Sequence, residues 1–130
     1  MSFLAHIAAL VREYDEAIAW YRDVLGFDLV EDTPQSPGKR WVLMSPPGAP
    51  CGAASLLLAR AATPDQARFV GDQSGGRVFL FLHTDAFERD CERLRAHGVR
   101  FVREPVQEPY GRVAVFADLY GNLWDLIEPA

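Results

Sequence analysis

Apolar and polar positions along this chain change period several times, and the changes mark out its elements. Residues 3–11 form a short apolar run with His6 inside it and predict a strand. Ala17, Ile18, Tyr21, Val24 and Leu25 then recur at helical spacing, with Asp15 placed to cap the helix and Gly26 to end it. Residues 27–31, 40–45 and 54–59 predict three more strands, broken by the turn-rich Thr33-Pro-Gln-Ser-Pro-Gly and the stiff Pro46-Pro-Gly-Ala-Pro50. Thr63-Pro64-Asp65-Gln66 reads as an N-cap, a proline in the first turn and an acidic start, giving a short helix over 64–70. A polar linker at 72–76 follows. Residues 77–83 predict a fifth strand. Asp85 is placed to cap a second long helix whose stripe is Phe87, Cys91 and Leu94 and whose stop is Gly98. Residues 99–103 predict a sixth strand and 105–110 a loop.

The clearest pattern is residues 111–128, which read as a β-hairpin. Residues 112–117 are rich in β-branched and aromatic side chains, Asp118-Leu-Tyr-Gly-Asn supplies the turn, and 123–127 return. Alternation places Leu123, Asp125 and Ile127 on one face. A carboxylate on a face otherwise apolar is either a satisfied core group or part of a site, and the same alternatives hold for His6.

Composition narrows the function. The 130 residues fit one domain or two fused half-sized modules, and the 49% hydrophobic content is ample for a core. A net charge of −5 leaves no basic footprint for nucleic acid or anionic lipid. No run approaches the ~20 apolar residues of a membrane helix, and the N-terminus lacks the basic and apolar regions of a signal peptide. Cys51 and Cys91 make no spaced motif, so they are expected to be reduced thiols in a cytoplasmic protein.

The order strand, helix, three strands occurs twice. His6 and Arg77, Gly26 and Gly98, and Ser55 and Asp125 lie 71, 72 and 70 residues apart. The expectation is an α+β chain of two βαβββ modules, residues 1–62 and 76–130 joined by a linker at 63–75, their mixed sheets making a concave cup of the kind in which ligands sit.

This order, with Phe116-Ala-Asp-Leu-Tyr-Gly-Asn-Leu-Trp-Asp-Leu and Ala17-Ile-Ala-Trp-Tyr-Arg-Asp-Val-Leu-Gly-Phe27, resembles the vicinal oxygen chelate superfamily: glyoxalase I, extradiol dioxygenases, and the fosfomycin- and bleomycin-resistance proteins. The resemblance covers essentially the whole chain. It implies a divalent metal held by four side chains, one each from the first and fourth strands of each module. Those positions fall on His6, Ser55, Arg77 and Asp125. A serine is a poor ligand and a guanidinium has no lone pair to give, so two of four survive and no cofactor is expected.

The reading that follows is a metal-independent small-molecule binder. Arg77 stands in the place of the metal, paired with Asp125 or reaching for an acidic or aromatic ligand beside His6 and Ser55. Phe79 and Phe81 share the face of Arg77 and line the wall, and Tyr110 and Arg112 edge the mouth. His83 is read as a strand-end residue and His97 as a helix-end cation suited to the dipole. Two alternatives stand beside it. One is a metal-dependent lyase or dioxygenase using His6 and Asp125. The other is a structural dimer in which Arg77 and Asp125 are bridged and Phe79 and Phe81 fill the hollow. The family habit and the open sheet edges imply a homodimer.

Overall fold

The computed structural model describes all 130 residues. The order is β1 (His6–Val11), α1 (Tyr14–Asp23), β2 (Asp28–Ser36), β3 (Lys39–Ser45), β4 (Ser55–Arg60), α2 (Pro64–Ala67), β5 (Val78–His83), α3 (Phe87–Ala96), β6 (Phe101–Glu108), β7 (Gly111–Ala117) and β8 (Leu123–Pro129). The strands make two four-stranded sheets, β1-β4-β3-β2 and β5-β8-β7-β6, each with one parallel pair (β1 with β4, β5 with β8) and two antiparallel ones. The chain divides into unit 1, Met1–Val70, and unit 2, Gly71–Ala130, and each is a βαβββ module.

In unit 1 the helix-facing side of the sheet carries Ala9 and Val11, Leu56 and Leu58, Val42 and Met44. All are buried with Ala17, Ile18 and Tyr21 of α1. Period two puts His6, Ser55, Leu57, Trp41 and Ser45 on the other side. In unit 2, Phe116 and Trp124 stand opposite each other and stack, with ring centroids 6.1 Å apart, and are buried along with Phe87, Cys91 and Leu94 of α3.

Several boundaries differ from the sequence expectation. β1 begins at His6 because its partner β4 begins at Ser55, which leaves Phe3 and Leu4 exposed. β2 runs on through Pro34 to Ser36, and β6 through Pro105 to Glu108. Both are edge strands broken in register beside the proline, where a missing donor is tolerated. Neither long helix has the expected cap. Glu13 and Ala86 hold the N-cap positions without a side-chain hydrogen bond. Near α3 it is Thr84 that accepts from the Ala86 N–H and donates to Asp90. Thr63 does cap α2, accepting from the Gln66 N–H at 3.1 Å.

The β7–β8 turn is built on a buried carboxylate. Asp118 Oδ1 accepts from the backbone N–H groups of Tyr120, Gly121 and Asn122 at 3.0–3.1 Å, and Oδ2 from Asn122 Nδ2 at 3.1 Å and Trp124 Nε1 at 3.2 Å. Asn122 Oδ1 in turn accepts from the Gln73 N–H at 3.1 Å. Gly121 takes the positive φ, 103°, that the turn needs. Gly71 packs so close to this turn that a Cβ would lie 1.9 Å from the Tyr120 carbonyl oxygen.

Changing Asp118 to Asn keeps the shape but points an amide N–H₂ at N–H donors. The variant is expected to lose roughly 2–5 kcal/mol, the cost of leaving one or two buried donors unmatched, read as a lower urea midpoint with an unchanged slope.

Candidate functional site

The sheet faces turned away from the helices carry most of the candidate residues. In unit 1, His6 opens β1 directly beside Ser55, and the Ser45 hydroxyl donates to the Ser55 hydroxyl at 3.1 Å. Trp41 leans along this face until its ring meets that of His6 edge-on, with centroids 5.7 Å apart. Farther along, at the C-terminal ends of β1 and β4, a cavity of about 770 Å³ opens between the β2–β3 turn and the start of α2. Its apolar wall is Leu10, Trp41, Leu57 and Ala59.

In unit 2, cross-strand register sets Arg103, Val115, Asp125 and Phe81 in one row across β6, β7, β8 and β5. Asp125 Oδ1 is buried with no hydrogen-bond partner. Burial pushes the Asp125 carboxyl above the usual carboxylate range, and the Arg103 charge opposes that shift. Arg103 is also hydrogen-bonded to Tyr110 and to Glu108 at 2.5 Å, contacts that hold its guanidinium protonated more firmly than usual. Phe81 is 65% exposed, so it does not fill a hollow.

Arg77 lies elsewhere than expected. It sits in the bend before β5, exposed, and the residue opposite Asp125 is Phe81, four positions on. Two things move it: β5 begins one residue later than the sequence pattern suggests, and the register breaks between Val78 and Leu80, where Phe79 sits half-buried. The cation that acts on Asp125 is Arg103. Arg112 is also displaced. It pairs with Glu88 at 3.1 Å and lies over the Phe87 ring at 4.8 Å, so it serves the helix-bearing side rather than a mouth beside Asp125. Tyr110 is exposed and reaches the open face through Arg103. His83 is exposed opposite Ile127, and His97 holds the C-cap position of α3.

The donor set does not fit a divalent ion. Ser55 is tied to another serine, the β5 residue opposite Asp125 is a phenylalanine, and Arg77 is outside its strand. Within neither unit do three His, Cys, Asp or Glu side chains gather as a metal site requires.

Sequence reasoning passed over Lys39 and Arg103 and set Arg60 aside, with Arg68, as a scattered charge forming no patch, whereas Arg60 lines the unit 1 cavity with Lys39 and Arg40. Lys39 and Arg60 come from different strands and share only the lining of the unit 1 cavity, and Arg103 faces Asp125 only once the irregular β6–β7 register is known. Lys39 and Arg40 before an apolar strand were a signal that such a strand end carries charge.

The Glyoxalase/Bleomycin resistance protein/Dioxygenase superfamily model matches residues 3–126. An uncharacterized protein of Shewanella frigidimarina (strain NCIMB 400) is 57% identical over 126 residues, spanning 96% of this chain and 92% of that one. Among solved structures, TnmS3, an antibiotic binding protein from Streptomyces sp. CB03234, is 32% identical with a TM-score of 0.80, covering 100% of this chain and 98% of its own. A glyoxalase/bleomycin resistance protein from the same Streptomyces strain is 33% identical with a TM-score of 0.74, covering 96% and 99%.

The raised Asp125 carboxyl sets a pH signature. A group whose folded pKa lies above its unfolded one costs stability when ionised, and the cost fades as pH falls through the folded value. Asp125→Asn is therefore expected to raise the thermal midpoint at pH 7, with the gain shrinking as pH falls through the raised folded value and gone once pH is below the unfolded value of about 3.9. An equal gain at every pH would mean that the ionised carboxylate is not what costs stability.

Proposed function

Because the chain belongs to the Glyoxalase/Bleomycin resistance protein/Dioxygenase superfamily, we propose that it is a metal-independent small-molecule-binding protein, working from the open faces of its sheets. The observation that carries this reading is the cavity of about 770 Å³ in unit 1, with Leu10, Trp41, Leu57 and Ala59 as its apolar wall. That size suits a drug-sized ligand, and a few polar groups beside an apolar wall are what such sites use. The similarity to TnmS3, an antibiotic binding protein, points the same way. Gln35, Lys39, Arg60 and Gln66 supply the cavity's polar groups, and His6, in edge-on contact with Trp41, and the Ser45–Ser55 pair add polar groups farther along the same face. In unit 2, exposed Phe81 beside Asp125 offers an aromatic and a carboxylate contact. Binding without chemistry is favoured because the Ser55 hydroxyl, beside His6, has a second serine as its side-chain partner rather than a base, and no carboxylate orients the imidazole.

The proposed working form is a cytoplasmic homodimer. Edge strands β2 and β6 present Leu29, Val30, Val102 and Val106 to solvent, which gives a physical motive for association. Both cysteines are free thiols, as suits a reducing compartment. No helix is long and apolar enough to cross a membrane.

Elemental analysis of the purified protein is expected to find far less than one equivalent of zinc, nickel, iron or manganese. Stoichiometric metal that disappears in His6→Ala would overturn the metal-free reading. In a thermal-shift screen of aromatic antibiotics and small organic acids, a ligand at about 100 times its Kd adds about 2.7 kcal/mol, and Trp41→Ala abolishes the shift. A screen in which nothing shifts the midpoint counts against a binding role.

A further inference from the structure

The unit 1 cavity has a charge character opposite to that of the chain. Acidic residues outnumber basic ones 18 to 13. Yet the cavity wall contains Lys39, Arg40 and Arg60 and no aspartate or glutamate. The three cations are not equivalent. Arg40 is committed: Nε and Nη2 grip both oxygens of Asp32 at 3.0 and 2.6 Å, Nη1 reaches Asp15 at 2.9 Å, and the guanidinium lies 5.1 Å from the centre of the Tyr14 ring. Arg60 touches Glu13 at 3.6 Å with both side chains about half exposed, an arrangement worth little in water and easily exchanged for a better anion. Lys39, exposed at the start of β3, takes part in no ion pair.

We propose that this cavity takes an aromatic ligand bearing an anionic group, the ring against Trp41 and the anion between Lys39 and Arg60. This deepens the small-molecule-binding reading above and rests on it. An exposed lysine loses little hydration by meeting a carboxylate, sulfonate or phenolate at the rim, while the ring takes the apolar surface of Leu10, Leu57 and Ala59 out of water. Gln66 adds a neutral donor. Its Oε1 already accepts from the Ala62 N–H at 2.7 Å, which leaves the amide N–H₂ for a ligand oxygen. A cationic ligand would find three basic and no acidic side chains in this lining, with Glu13, the partner of Arg60, outside it, and a neutral aromatic would leave Lys39 and Arg60 unused. The charged rim lies at the far end of the strands from His6: Leu10 is four residues along β1, ~13 Å at strand rise. It is therefore a separate anchor from the His6–Ser55 edge.

Two dyes of the same ring system separate the parts of the claim. Anilinonaphthalene sulfonate carries an anion, phenylnaphthylamine does not, and both fluoresce when they enter an apolar site. The folded protein is expected to bind the sulfonate about tenfold more tightly, the size of one charge-assisted contact, and less tightly as salt is raised. Lys39→Gln with Arg60→Gln is expected to erase that preference while leaving the neutral dye within about twofold of its starting affinity. Trp41→Ala weakens both dyes; because this ring is half-buried, circular dichroism of each variant confirms the native fold. If both dyes bind equally and the charge variants change nothing, the anion inference is overturned and the binding reading stands. If neither dye binds, or Trp41→Ala leaves both unaffected, the cavity itself is not a binding site and both fall.

Discussion

Asp118 is buried at 7% exposure, yet its carboxylate accepts from three backbone N–H groups of its own turn and from two side chains. An ionised oxygen pair in that position is tolerable only because every lone-pair direction is used. Its effect is geometric. The turn sets which β7 residue faces which β8 residue, so Phe116 meets Trp124 on the inside and Val115 meets Asp125 on the outside. A slip of one residue would exchange those faces, placing a carboxylate in the core and an indole in water. The Trp124 Nε1–Asp118 bond favours the observed register, because a slip would break it.

The two units share strand order and helix placement but not surface chemistry. Unit 1 turns outward an imidazole, a pair of serines, an indole and, at one end, cations. Unit 2 turns outward a carboxylate with an unmatched oxygen, an exposed phenylalanine and an arginine held by a tyrosine and a glutamate. The backbone plan comes from residues that face the helices. Those facing the other way carry less of the packing, Leu43 being the buried exception in unit 1, and can diverge more freely, which is how one fold hosts many functions.

The element order, the repeat, the glycine stops at Gly26 and Gly98 and the face on which Asp125 lies were all legible from the sequence, because each follows from a local period or a turn residue. What escaped involved register or distance. Arg77 was aligned with His6 by counting, and the break in β5 between Val78 and Leu80 undoes the count. Prolines 34 and 105 read as loop signals, but an edge strand has no neighbour to miss their absent N–H. Arg112 sits where the pattern puts a strand start, yet only the packing of α3 shows that its charge is claimed by Glu88 and its flat face by Phe87. The cationic rim joins residues from different strands, each an ordinary surface charge in isolation.

The contact between residues 71–73 and the 118–122 turn sets where the second half begins. The amide of Gln73 closes onto Asn122 across 49 residues, and Gly71 lies flush against Tyr120. The far end of this half is thus latched by its own first residues, a closure whose chain-entropy cost spans most of the unit. A fragment cut where the fifth strand starts would look complete on paper and lack its latch; the natural seam for dissecting the protein lies seven residues earlier, between Val70 and Gly71.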